Sequence, residues 1–188
     1  NKTKFKISDV NTKLYRRNPL APFTTSTLQQ TASGRFGFGA SRTMQIAQRL
    51  YQGIDIDGET TGLITYMRTD SVVMSKEAIN QVRGFVTDNY GANYLPEVPR
   101  VYKSKAKNAQ EAHECIRPTN IYLTRKDIKQ YITLEEYKLY EIIWQRAVSS
   151  QMASAVLDQV AVDITNKDKK IVLRANGSTI KFPGMYKV

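Results

Sequence analysis

Apolar positions along this chain run at a period of two, then at the helical period, then at two again. Phe5 and Ile7 alternate with Lys4 and Lys6, which predicts a short strand. Pro19 and Pro22 break the pattern, and Thr24 or Thr25 is placed to cap a helix through Ala32 with Gly34 as its stop. Met44, Ala47, Leu50 and Tyr51 then share one helical face, capped by Ser41 and ended by Gly53. Residues 55–61 read as a polar loop containing Gly58, and residues 63–66 as a short extended segment. Ser75 caps the next helix, which keeps Ile79, Val82, Val86 and Tyr90 at helical spacing.

Residues 91–107, with Pro96 and Pro99, read as a basic loop. Asn108 and Glu111 have the spacing of a capping box for a short helix that Pro118 ends. Thr124 with Asp127 and Thr133 with Glu136 repeat that spacing, and the last opens a long helix with Tyr137, Tyr140, Trp144, Ala147 and Val148 on one face. Beyond Ala155 the period returns to two through Val160, Val162 and Ile164, then through Ile171, Leu173 and Ala175. Asn176-Gly177 reads as a hairpin turn leading to Ile180 and Phe182. A helical middle between strand-forming ends makes the expected class α+β, predominantly α.

Length and charge narrow the partners. A chain of 188 residues holds one ordinary domain with a real core, or one domain and pieces of another. It begins at Asn1 rather than Met and stops at Val188 just after a strand pattern, which reads as an excised fragment. There is no run of eighteen apolar residues, so no membrane partner is expected. The single Cys115 rules out an internal disulfide and suits a reducing cytoplasm, and one Cys with one His cannot build a zinc site unaided. A net charge of +11 favours a polyanionic partner, because phosphates neutralised by Lys and Arg release condensed counterions. The charge is clustered: Lys2, Lys4, Lys6, Lys13, Arg16 and Arg17 face only Asp9 in residues 1–18, and Arg100, Lys103, Lys105 and Lys107 follow one another without an acid. Such runs are also simply solvated faces, so the charge alone names no function.

Candidate chemistry sits in Tyr66-Met67-Arg68-Thr69-Asp70-Ser71. A phenol of ordinary pKa ~10 is about one part in a thousand ionised at pH 7, a cost of roughly 4 kcal/mol for a nucleophile. Arg68, two residues from Tyr66, brings a fork that grips a phosphate through two hydrogen bonds. A strand tyrosine followed by a surface arginine is the ordinary alternative. The segment Gly62-Leu63-Ile64-Thr65 followed by this hexapeptide resembles the active-site segment of the type IA DNA topoisomerases, the family of bacterial topoisomerase I. Upstream, residues 21–30 (APFTTSTLQQ), then Arg42-Thr43-Met44 and Ala47-Gln48-Arg49-Leu50-Tyr51, are similar to two further motifs of that family. Downstream, residues 110–119 (QEAHECIRPT) look like a third, with Cys115 replacing the family's usual alanine. Met67 stands where the related topoisomerase III enzymes usually carry proline.

The resemblance, which covers residues 19–119, implies a toroidal enzyme that cuts single-stranded DNA. Residues 19–154 would form a helical domain carrying the nucleophile, and residues 1–18 and 155–188 the broken β-strand ends of an arch domain. Tyr66 matches the nucleophile that holds the 5′-phosphate, Arg68 the phosphate-positioning arginine, and His113 a group that hydrogen-bonds the scissile phosphate or relays a proton. Arg68, Thr69, His113, Arg117, Lys103, Lys105 and Lys107 are the candidate DNA contacts; Thr69 with Asp70 and Ser71 also suits the turn behind Tyr66, and Glu111 suits a helix cap. The family's Mg2+ is expected on a separate domain outside this chain, so no metal ligand is expected here, and the Asp55-x-Asp57-x-Glu59 spelling reads as chance loop acidity. The implied partners are single-stranded DNA and the remaining domains of the same enzyme, in a monomeric cytoplasmic protein.

Three other readings compete. A tyrosine recombinase also uses Tyr, Arg and His on DNA, but the usual His-x-x-Arg spacing is not met by His113 and Arg117. A non-catalytic helical module binding single-stranded DNA or RNA explains the charge without the motifs. A hub for acidic proteins explains the charge only.

Overall fold

The computed structural model describes residues 3–103 and 113–188, and the chain divides into two compact units. One unit joins the residues up to Asn18 with Ala153–Lys187, and the other spans Pro19–Met152 with Val188.

The helical unit begins with α1 (Thr25–Phe36), where Thr24 and Thr27 cap each other: the Thr24 N–H reaches the Thr27 hydroxyl at 2.9 Å and the Thr27 N–H the Thr24 hydroxyl at 3.3 Å. The helix runs past Gly34 and ends at Gly37, the residue that turns left-handed with φ 70°. In α2 (Ala40–Gln52), Thr43, Ile46, Ala47 and Leu50 are buried at the i, i+3, i+4, i+7 spacing of a core-facing stripe. Its N-cap is Gly39 rather than Ser41, which falls inside the first turn. The segment expected as a polar loop is a hairpin, β2 (Ile54–Ile56) and β3 (Glu59–Thr61). Asp57-Gly58 forms its two-residue turn, both with positive φ, the geometry that right-twisted strands require.

Ser75 caps α3 (Lys76–Tyr90) through the Ala78 N–H, and Ala78, Val82, Phe85 and Val86 face inward. The short α4 (Arg125–Ile128) and the long α5 (Leu134–Ser150) both start with the capping boxes read from sequence. α5 packs against α2, α3 and α4 and is the central helix of this unit. Its large residues are buried with their polar ends satisfied: Tyr140 donates to the Leu123 carbonyl at 2.7 Å and Trp144 Nε1 to the Ile121 carbonyl at 2.9 Å. Of the helix expected from the Asn108 cap to Pro118, residues 108–112 lie outside the described residues and residues 113–118 are not helical. Backbone groups of residues 115–118 bond instead to distant segments, forming isolated bridges Phe23↔Ile116 and Ile64↔Pro118.

The strand unit is an antiparallel sheet in the order β1-β4-β5, with β1 at Phe5–Arg17, β4 at Ala155–Asn166 and β5 at Val172–Phe182. The N-terminal strand is thirteen residues long rather than short, because β4 offers a matching ladder. Asn176-Gly177 does not turn: the pair sits inside β5, opposite Ala161 and Val160. The turn lies at residues 167–170, where the Asn166 carbonyl accepts from the Lys169 N–H at 3.1 Å and its side-chain oxygen from the Ile171 N–H at 3.0 Å. A turn at 176 would leave half of the twelve-residue β4 without a partner on that side, so ladder length overrides the local dipeptide.

Gly177 therefore occupies a strand position where an added Cβ would meet nothing within 4 Å. Gly177→Thr should raise stability by about 0.5–1 kcal/mol, as expected for glycine replaced inside a strand. Thermal melting of the chain checks this; a fall in the melting temperature would restore the turn at 176.

Candidate active site

Tyr66 and Arg68 project from a segment that has no regular secondary structure of its own. Side chains alternate along it: Met67 is 1% and Thr69 3% exposed, whereas Tyr66 and Arg68 are open to solvent. Met67 and Thr69 thus anchor the segment in the core and leave the phenol and the guanidinium outside.

Two threonines hold this segment by the same device. On one side the Thr25 N–H donates to the Thr69 carbonyl at 2.9 Å, while the Thr25 hydroxyl donates to the Met67 carbonyl at 2.8 Å and accepts from the Thr69 N–H at 2.9 Å. The first residue of α1 therefore grips the backbone on both sides of Arg68. On the other side the Thr65 N–H donates to the Arg117 carbonyl at 2.9 Å, and its hydroxyl donates to the Cys115 carbonyl at 2.7 Å and accepts from the Arg117 N–H at 3.0 Å. Further main-chain bonds complete the seat: Ile116 N–H to the Phe23 carbonyl, Leu63 N–H to the Leu50 carbonyl, and Thr119 N–H to the Leu63 carbonyl. Gly62 is required by this close fit, because a Cβ there would come within 2.9 Å of the Tyr51 carbonyl oxygen. All three sequence motifs thus converge on one tyrosine.

Tyr66 is flanked by two rings. Tyr51 meets it edge to face with centroids 5.5 Å apart, and the exposed His113 ring lies 5.2 Å away, tilted by 43°. His113 is therefore brought beside the candidate nucleophile across a sequence gap. Arg68 has no hydrogen-bond or ion-pair partner among the described residues. Arg117 is different: its Nε sits 2.5 Å from the Glu114 carboxylate and its Nη1 donates to the Pro118 carbonyl at 3.0 Å, with only 15% of the side chain exposed. Thr69 is turned inward, and its hydroxyl accepts from the Ser71 N–H at 3.0 Å, which shapes the turn behind Tyr66. Lys103 is exposed, and Lys105 and Lys107 lie outside the described residues. Tyr51, Thr25 and Thr65 are neighbours that sequence reading does not single out for the site; the only signal for them is their presence inside motifs matched for other reasons.

The surrounding titrations are set by burial and by Arg117. Burial pushes the Cys115 thiol up to about 12, with the Arg117 charge opposing, so the thiol stays protonated and acts as a packing group. Burial also pushes the Glu114 carboxyl up, but the hydrogen bond and charge of Arg117, with hydrogen bonds from Ser75, outweigh it and hold Glu114 below the ordinary carboxylate range. Among the described residues no three His, Cys, Asp or Glu side chains are grouped to hold a metal ion. In the Asp55-x-Asp57-x-Glu59 spelling both aspartates accept hydrogen bonds: Asp55 from the Gly58 N–H at 2.8 Å and Asp57 from the distant Tyr131 hydroxyl at 2.7 Å.

Comparison with known proteins is consistent over the full length of the chain. The family model described as DNA topoisomerase matches residues 1–188. The protein named DNA topoisomerase 1 in Rickettsia bellii is 50% identical over 184 residues, which are 98% of this chain and 23% of that protein. Its namesake in Xylella fastidiosa strain 9a5c is 48% identical over 183 residues, 97% of this chain and 22% of that protein. The crystal structure of full-length topoisomerase I from Thermotoga maritima superposes with a TM-score of 0.86 at 33% identity, covering 99% of this chain and 29% of that one. The chain spans about a quarter of the length of these relatives.

Thr25→Val keeps the shape of the side chain but strands the Met67 carbonyl and the Thr69 N–H. It should cost about 1–3 kcal/mol and speed hydrogen exchange at the Thr69 amide, while Thr25→Ser should restore both. Native-state exchange read by mass spectrometry or NMR checks it, and unchanged protection at Thr69 in the valine variant would remove Thr25 from the seat.

Proposed function

The chain belongs to the DNA topoisomerase family, and from that membership we propose that Tyr66 cuts one DNA strand by taking over its phosphodiester. The Tyr66 oxygen attacks the phosphorus of a single-stranded segment, forming an Oη–P bond as the P–O3′ bond breaks. The phenol gives up its proton and the departing 3′ oxygen takes one, leaving a free 3′-hydroxyl and a 5′-phosphate on the protein. One phosphodiester replaces another, so the reverse attack by the 3′-hydroxyl reseals the strand without a nucleotide.

The observation that carries this reading is the pairing of an exposed Tyr66 with an exposed Arg68, unpartnered among the described residues, on a backbone held from both sides. A surface arginine serving only solubility needs no such seat. Arg68 stabilises charge on the non-bridging oxygens as the transition state forms, where a preorganised donor is worth most. His113, beside the Tyr66 ring, hydrogen-bonds the scissile phosphate or relays the phenol's proton. Thr69 and Arg117 support the backbone rather than the DNA in this scheme, and Lys103, Lys105 and Lys107 attract the strand electrostatically. The same rigid seat argues against a module that only binds single strands, which needs no fixed phenol.

The rest of the cycle belongs to the longer protein. We assign the strand unit to the two broken ends of a β-rich arch and the helical unit to the nucleophile domain of a type IA toroid. The whole enzyme, a cytoplasmic monomer, opens this gate, passes the other strand and reseals, relaxing negatively supercoiled DNA. Magnesium is assigned to a domain outside this chain, as the family resemblance implies.

In the full-length enzyme, Tyr66→Phe should abolish covalent DNA adducts while leaving single-strand affinity within a few-fold, since only the nucleophilic oxygen is lost. Denaturing gels of labelled DNA check this, and adducts surviving in the variant would move the nucleophile elsewhere. Arg68→Ala should slow cleavage about a hundredfold, the ~3 kcal/mol typical of an oxyanion-type contact.

The chain by itself, lacking the assigned metal domain, should not relax supercoiled plasmid. Relaxation by purified residues 1–188 with magnesium, seen on an agarose gel, would overturn that division of labour.

A further inference from the structure

Beside Arg68 a groove of about 520 Å³ runs along the exposed side of α2. Arg42, Gln45, Gln48 and Arg49 line it from the helix, at spacings of three and four residues, and Arg68 closes one wall. Its volume lies within the roughly 300–1,000 Å³ range of sites that hold small ligands. We propose that this groove seats one nucleotide of the cut strand next to the scissile phosphate, an inference that rests on the cleavage reading above.

The lining suits a nucleotide better than a bare anion. Gln45 and Gln48 each carry donors and an acceptor in one amide, the combination that meets base edges and sugar oxygens as well as phosphate. Met44 adds an apolar wall. The two flanking arginines are held in place: Arg42 pairs with Glu135, and Arg49 Nε lies 3.1 Å from the Glu136 carboxylate. Glu136 is itself fixed, since its other oxygen accepts from the Thr133 N–H and hydroxyl at 2.7 Å each. Arg42 and Arg49 both keep 48% of their side chains exposed, so they present positive charge along the groove while their carboxylate partners set their direction. Because Arg68 belongs both to the groove wall and to the Tyr66 segment, a strand lying in the groove arrives at the phenol with its phosphate already against the guanidinium. The groove thereby sets on which side of the cut the enzyme holds extra nucleotides.

Arg42→Gln with Gln45→Ala tests this, since both positions lie outside the buried stripe of α2 and their loss leaves it intact. The double change is placed in the full-length enzyme carrying Tyr66→Phe, and binding of single-stranded oligonucleotides is followed by fluorescence anisotropy. The oligonucleotides are trimmed one nucleotide at a time from either side of a mapped cleavage position. The expected result is binding of the long oligonucleotide weakened by about thirtyfold or more, as for loss of one charge-assisted and one neutral hydrogen bond. Once the strand is trimmed by the groove nucleotide on one side, the double change should have no effect. The salt slope of the long oligonucleotide should fall by about 0.7, one phosphate's worth for a single strand. Equal weakening of long and trimmed strands, or no weakening, overturns the groove. Adduct formation by the Tyr66 enzyme is read in parallel: adducts without a length-dependent loss discard the groove alone, and no adducts at any length discard the cleavage reading itself.

Discussion

The hydroxyls of Thr25 and Thr65 fix the backbone on which the helical unit's candidate site is built. A segment without helix or ladder has backbone donors and acceptors that must find partners, and here they find them in two side chains and their own amides. Each threonine offers a neighbour both an acceptor and a donor, so a single side chain reproduces a piece of β-ladder where no strand can continue. The result is a backbone fixed from two sides yet short enough to leave alternate residues outside. Without that arrangement Met67 would have no reason to be buried while Tyr66 and Arg68, one residue either side, are not.

Arg68 and Arg117 show how context divides identical side chains between tasks. Arg117 is mostly covered, with its charge matched to Glu114 and a further N–H on the Pro118 carbonyl, so its direction is set by the fold. Arg68 lies between Met67 and Thr69, whose backbone groups Thr25 holds, and among the described residues its guanidinium has no partner. Covered and matched on two sides, Arg117 must give up one partner to take another, which costs much of what the new contact gains. Arg68, without a partner among the described residues, is the group that can respond to a phosphate without that exchange.

Much of this is legible in the sequence, in proportion to how local the cause is. Ser75, Thr124 and Thr133 announce their helices because a cap is decided within one turn. The α5 stripe is legible in part: Tyr140, Trp144, Ala147 and Val148 are buried as read, whereas Tyr137 is not and Leu139, Ile142 and Ile143 are. Residues 113–118 look like the end of a helix only because their true partners, Phe23, Thr65 and Val73, lie far away in sequence. Asn176-Gly177 misleads because the length of β4, a non-local matter, decides where its neighbour turns. Asp57-Gly58 is the reverse case, a local turn signal masked because the flanking strands are only three residues each. At the site, the motifs bring out Tyr66, Arg68 and His113, but the ring of Tyr51 and the double use of each threonine hydroxyl emerge only in three dimensions.

The wide separation of the seat's parts also makes the site depend on long loops. Thr25 reaches across 42 residues to Met67, and Thr65 across 52 to Arg117, so the loops between them must close before either bond exists. Contacts of this range carry a loop-closure cost that the local turns of α3 and α5 do not. A nascent or partly opened chain therefore carries the tyrosine without its setting: the phenol is present, the aligned guanidinium is not. The setting of Tyr66 is thus a property of the closed fold, and a chain in which these loops have opened does not have it.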